Sequence, residues 1–270
     1  MVAIYSSNKQ YKKAIALLKD YHSKNPDMLG LPYLTAEVHV LNGDKKEALT
    51  ILERLIKEKP EFIPPYQLAS RIAKTNDPRQ SEKYFKQAVD NNPSQDQVWI
   101  TLANFYFNLD SLKKAEQTLR EGVKLNPNSI TLKFELAATL QEQGKLKEAN
   151  KNYRLILVKD PSHYAALHNL LSNLALDKNG YKEALSIGKI MFDRGITEPS
   201  ILGAYGNVLL RSGNFPQATL VLEKAIKSIT DNYIVTEPKE SANIFLLAGQ
   251  AYLKTNKMAK LNKPLNEPLN

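Results

Sequence analysis

Residues 93–127 read PSQDQVWITLANFYFNLDSLKKAEQTLREGVKLNP, and the spacing of their apolar side chains decides the fold. Leu102, Phe105, Tyr106 and Leu109 recur at intervals of three and four, which gathers them on one face of an α-helix. Asp110 stands where that pattern stops, and Pro127 closes the stretch in polar surroundings where a helix ends. A unit of this length holds two amphipathic helices of roughly 14 residues and two short turns. Leu49, Leu52, Leu55 and Ile56 repeat the spacing one or two units earlier.

Three ladders carry this unit along the chain. Pro26, Pro60, Pro93, Pro127 and Pro161 stand 34, 33, 34 and 34 residues apart. Ala14, Ala48, Ser81, Ala115, Ala149, Ala184 and Ala218 keep nearly the same period, and small side chains at one phase imply close helix contact. Gly43, Asn76, Asp110, Gly144, Asn179, Gly213 and Asn256 are residue types that readily enter the left-handed conformation closing a helix, so they mark the turn inside each hairpin. Each unit cannot bury its apolar face alone, and stacked units share one core. At the helix starts, Ser94 with Gln97 has the form of a capping box, while Asp27 and Ser162 are candidate caps after their prolines.

With Trp99, Leu102, Ala103, Tyr106, Ala115, Leu119 and Pro127, the quoted unit resembles the tetratricopeptide repeat (TPR). Ala137, Ala149, Tyr153 and Pro161 mark the next unit, and Tyr205, Gly206, Ala218, Leu222 and Ala225 a later one. The resemblance covers about residues 1–260 and implies an all-α fold, a right-handed α-solenoid of antiparallel helical hairpins. Counting phases gives a truncated first hairpin at 1–27 and complete hairpins at about 28–61, 62–94, 95–128, 129–162, 163–197 and 198–231. An insertion falls at about 228–240, a terminal helix at 241–255, and the proline-containing tail at 261–270 cannot continue a helix. Ile196 and Thr230 replace the terminal proline of the sixth and seventh units. With no Gly/Ser-rich or Pro-rich linker, the expectation is one continuous body.

At 270 residues, 43% hydrophobic and 24% charged, the chain has the composition of a folded protein with a large core. It has no cysteine, which excludes disulfides, thiolate metal sites and cysteine nucleophiles. His22, His39, His163 and His168 show no metal-ligand spacing, and there is no phosphate-binding loop or nucleophile elbow. The expectation is therefore a non-enzyme with neither cofactor nor metal. No run of eighteen apolar residues exists, and MVAIYSSNKQ at the start lacks a signal-peptide layout. A soluble protein is expected, cytoplasmic, or periplasmic where a leader has been removed.

A formal charge of +9 raises nucleic acid as a partner, but its placement argues against one. Lys12, Lys13, Lys45, Lys46, Lys113, Lys114, Lys145, Lys147 and Lys151 fall in second helices or at their edges, which by the family resemblance lie on the convex side. Asp20 precedes Lys24 by four residues, as do Glu53 and Lys57, Glu82 and Lys86, Glu116 and Arg120, and Glu223 and Lys227. That is the pattern of a solvated helix face, with each pair contributing about 0.3–0.5 kcal/mol.

By the same resemblance, fixed positions of each first helix line a concave groove. The candidate partner-binding residues are Tyr33, Glu37, Tyr66, Ser70, Asn104, Asn108, Phe134, Gln141, His168, Asn207 and Arg211. Lys74, Ile100, Phe107, Glu142, Ser172, Gln250 and Lys254 lie alongside. Tyr33, Tyr66, Phe134 and His168 are read at one phase, with Ile100 between, as a stripe suited to a peptide. Tyr33, Tyr66, Ile100, Phe134, His168 and Gly203 hold the phase where some family members place a lysine that grips a C-terminal carboxylate, so that clamp is not expected. The leading function is a protein-interaction scaffold or adaptor. Its rivals are a TPR arm of a larger protein, such as a bacterial envelope or polysaccharide-assembly component, and an array that self-associates through open ends.

Overall fold

The computed structural model describes residues 1–74, 77–231 and 238–255, and among these there are α-helices and one 3₁₀ turn but no strand. The packing divides the chain into two compact units, residues 1–143 and 144–270. The division falls within the hairpin expected at 129–162, at an ordinary turn that composition does not distinguish from the others.

Unit 1 holds α1 (Val2–Ser7), α2 (Tyr11–Lys24), α3 (Gly30–Leu41), α4 (Lys45–Glu58), α5 (Pro64–Lys74), α6 (Pro78–Asn91), α7 (Asp96–Phe107), α8 (Leu112–Leu125) and α9 (Ile130–Glu142). Unit 2 holds α10 (Leu146–Lys159), α11 (Tyr164–Leu174), the 3₁₀ turn Lys178–Gly180, α12 (Tyr181–Asp193), α13 (Pro199–Arg211), α14 (Phe215–Asp231) and α15 (Pro238–Lys254). The fold is an α-solenoid of helical hairpins: α3 packs on α4, α5 on α6 and α7 on α8, as α13 does on α14. Each second helix also packs on the first helix of the following hairpin, α4 on α5 and α14 on α15.

The small-residue ladder marks the tightest helix contacts. Ala14, Ala48, Ser81, Ala149, Ala184 and Ala218 are 0% exposed and Ala115 is 1% exposed. Ser81 is the polar member, and it shares a 2.6 Å hydrogen bond with buried Ser70 across the α5–α6 hairpin. The pair satisfies both hydroxyls internally, so the crossing accepts serine in place of alanine.

The turn ladder is left-handed at Gly43, Asp110, Gly144 and Gly213. Asn179 lies in the 3₁₀ turn instead, and Asn76 and Asn256 fall outside the described residues. Lys9 occupies the same phase, 34 residues before Gly43, with φ +57°. A lysine there escapes a search based on residue type. The insertion expected at 228–240 is in part helix, since α14 runs to Asp231 and α15 begins at Pro238; residues 232–237 lie outside the described range.

The expected caps do not form. Helix α7 starts at Asp96 with no side-chain cap, so Ser94 and Gln97 make no capping box, and α3 has none from Asp27. On α11 the cap is His163, whose Nδ1 accepts from the Ala166 amide, rather than Ser162. Ser129 accepts from the Leu132 amide and Asp77 from Arg79 and Gln80. A cap must sit at the residue where helical geometry begins, which the proline ladder locates only to within a residue or two.

Of the five charge pairs, Asp20–Lys24, Glu82–Lys86 and Glu116–Arg120 close at 2.8 Å. Glu53 and Glu223 are engaged across helices: Tyr84 donates to Glu53 at 2.6 Å and Tyr252 to Glu223 at 2.6 Å. Tyr106 donates to Glu82 in the same manner at 2.8 Å.

Burial first, then the bond to a carboxylate, holds Tyr84 and Tyr252 up to about 12 and raises Tyr106 as well. A tyrosine raised in the folded state contributes stability that is complete below its unfolded pKa of about 10 and is lost as pH rises through the folded value. Alkaline titration followed by helical circular dichroism should therefore show stability falling between about pH 10 and pH 12, and replacing Tyr84, Tyr106 and Tyr252 by phenylalanine should flatten that fall.

Candidate binding faces on the first helices

The exposed residues of the first helices form a face in each unit. In unit 1, α3 lies against α5 and α7 against α9. Tyr33 is half-buried and edge-on to Phe62 at 5.9 Å. Burial, then the Glu37 charge, raises the Tyr33 pKa, while the positive field of Arg71 on α5 opposes the rise. These three side chains thus share one region of the face. Along α5 and α7, Gln67, Arg71, Lys74, Asn104, Phe107 and Asn108 are exposed, and Phe107 keeps 43% of its surface in solvent. On α9, Phe134 and Gln141 are partly buried.

Tyr66 and Ser70 do not belong to this face. Tyr66 is 0% exposed; its hydroxyl donates to the Pro60 carbonyl at 3.0 Å and accepts from Asn91 Nδ2 at 2.7 Å. Ser70 is 1% exposed and bonded to Ser81. The correction is a slip of one residue. Tyr66 lies six residues after Pro60, as Trp99 lies six after Pro93, and Trp99 Nε1 donates to the Pro93 carbonyl at 2.9 Å. Tyr33, Ile100, Phe134 and His168 each lie seven residues after a proline, so their counterpart in this hairpin is Gln67, and that of Glu37 is Arg71 rather than Ser70. One residue turns a side chain by about 100° around the helix, enough to carry it from solvent to core. The proline register contained this signal; an aromatic residue one place away obscured it.

In unit 2, α11 packs against α13 and α13 against α15. His168 is partly buried, and its Nδ1 donates to the Ser200 carbonyl of α13 at 3.1 Å, so the ring holds two first helices together. Asn207 Oδ1 accepts from Arg211 Nε at 3.3 Å. Those two, with Leu210, Phe215, Gln250, Leu253 and Lys254, line a recess of about 320 Å³ between α13 and α15. A larger recess of about 660 Å³ opens between α10, α11 and α12. Within it Arg154 makes a two-bonded fork on Glu183 at 2.6 and 2.7 Å, which lowers the glutamate pKa, and Asn173 donates to Asn150 at 2.9 Å.

Among the described residues no group of histidines and carboxylates could hold a metal, and no helix is long and apolar enough to cross a membrane. Stacked helical hairpins presenting polar and aromatic side chains on their first helices define a helical-repeat protein.

Two family models match parts of the chain. The tetratricopeptide repeat model matches residues 6–72, and the Suppressor of forked protein model matches residues 71–194. Together with the hairpin geometry, these support tetratricopeptide-type repeats in this chain. A TPR repeat-containing protein of Pseudomonas aeruginosa is 25% identical over 138 residues, 51% of this chain and 23% of that protein. General transcription factor 3C polypeptide 3 of Homo sapiens is 24% identical over 213 residues, 76% of this chain and 23% of that protein. The chain thus spans about a quarter of the length of these relatives. The crystal structure of yeast Tom70 superposes with a TM-score of 0.50 at 19% identity, covering 93% of this chain and 53% of Tom70. At that identity the likeness is one of fold.

Proposed function

We propose that this chain is a non-catalytic scaffold that holds a segment of another protein against the exposed faces of its first helices. The observation that carries the reading is the set Arg71, Lys74, Asn104, Phe107 and Asn108 in unit 1, where cations, amides and an exposed aromatic stand on the first helices of consecutive hairpins. The aromatic supplies apolar area and the amides can bond a partner's backbone, a combination suited to an extended or helical peptide. The likeness to tetratricopeptide repeats supports the same class, because helical-repeat proteins of this kind generally act through protein contacts. Nucleic acid is disfavoured, since the lysines of the second helices are interleaved with acids and offer no stacked aromatic platform.

A quantitative pulldown comparing the wild type with Arg71→Ala plus Phe107→Ala tests the reading. Both side chains are exposed, so the fold should survive, and loss of two anchors should weaken a micromolar complex by about a hundredfold. Tyr66→Ala cannot serve here because it removes a core side chain. Neutralising Lys113, Lys114, Lys145 and Lys147 should leave binding intact. The reverse pattern would move the binding surface to the second helices.

A second reading, an arm of a larger protein, is favoured by the relatives of which this chain spans only 23%. It changes the partner's source rather than the face that binds it.

A further inference from the structure

The recess between α13 and α15 gathers charge of one sign beside apolar side chains. Its lining contains two cations, Arg211 and Lys254, two amides, Asn207 and Gln250, and three apolar side chains, Leu210, Phe215 and Leu253, but no carboxylate. Neither cation forms an ion pair with another described residue, and both are exposed. Arg211 is held by its bond to Asn207 Oδ1, and Leu253 keeps 56% of its surface in solvent. A helix macrodipole accounts for a cation in a last turn. It does not account for two on adjoining helices with an exposed leucine and a partly buried phenylalanine between them.

We propose that this recess takes an acidic, leucine-bearing segment of a partner protein, with Arg211 and Lys254 receiving side-chain carboxylates and Leu210, Phe215 and Leu253 receiving the apolar side chain between. The proposal rests on the scaffold reading and adds the partner's chemistry. Electrostatic complementarity is what would select this segment, because an uncharged peptide gains only the apolar contact and a basic one is repelled. Asn207 and Gln250 flank the cations and can bond the segment's backbone.

Fluorescence anisotropy of the full chain tests it with a short fluorescein-labelled peptide of glutamate, leucine and glycine and a counterpart carrying glutamine for glutamate. The glutamate peptide should bind about tenfold or more tightly than the glutamine peptide, and added salt should narrow the gap. Arg211→Gln with Lys254→Gln should abolish that difference, while the helical circular dichroism and melting midpoint stay unchanged because both side chains are exposed. Equal binding of the two peptides overturns the assignment. If that equal binding is lost with Leu253→Ser, the scaffold reading survives and only the acidic preference falls. If neither peptide binds while the Arg71 and Phe107 set still holds its partner, the recess alone is wrong. If the chain dimerises and the double glutamine variant is monomeric, the occupant is a second copy and the proposal is overturned.

Discussion

Replacing Trp99 by alanine should destabilise unit 1 by about 3–5 kcal/mol, the largest effect expected of any single change in it. The indole is 4% exposed, its Nε1 satisfies the Pro93 carbonyl, and its ring lies on Gly122 so closely that a Cβ there would stand 2.8 Å from Cγ. Alanine would remove the ring, open a cavity that the glycine cannot fill, and leave a carbonyl whose other partner is the Asn126 side chain at 2.8 Å. Hydrogen exchange in α7 and α8 reads the result: protection should collapse in both helices. Retained protection would mean that the ring is not the centre of this hairpin's core.

In unit 2, Gly188→Ala should lower the melting midpoint although alanine is the better helix former. A Cβ at Gly188 would stand 2.1 Å from the Tyr205 ring, which is 4% exposed and packed in the core with Leu202, Ala218 and Leu222. Overpacking of this kind costs about 1–3 kcal/mol, more than the 0.5–1 kcal/mol or so gained by removing a helical glycine. Gly249→Ala in α15 supplies the contrast, because nothing lies within 4 Å of its Cβ position, and it should stabilise by about 0.5–1 kcal/mol. Thermal melts of the two variants should move in opposite directions. A rise for both would show that Tyr205 yields without cost.

These two glycines look alike in sequence, since each interrupts a helical pattern, and only the packing separates them. The same limit governed the candidate face. Asn104, Asn108 and Arg211 are exposed where the period placed them, whereas Tyr66 lies in the core because it stands six residues after its proline rather than seven. His168 has the expected phase yet spends one ring nitrogen on the Ser200 carbonyl, a bond between residues 32 apart that no local pattern announces.

What the sequence by itself determined was everything that depends on period. Helical spacing, small residues at one phase and turn formers at another specified an all-α solenoid, because a unit of about 34 residues can bury its apolar stripes only against its neighbours. The tertiary structure alone decided which residues within that period meet. The division at 143/144, the tyrosine–glutamate bonds between helices, the serine pair at one crossing and the acid-free recess at Arg211 and Lys254 each depend on side chains from different helices. Their rotation about each axis is set to a fraction of a turn by packing, and a repeat count resolves only whole residues, each worth about 100°.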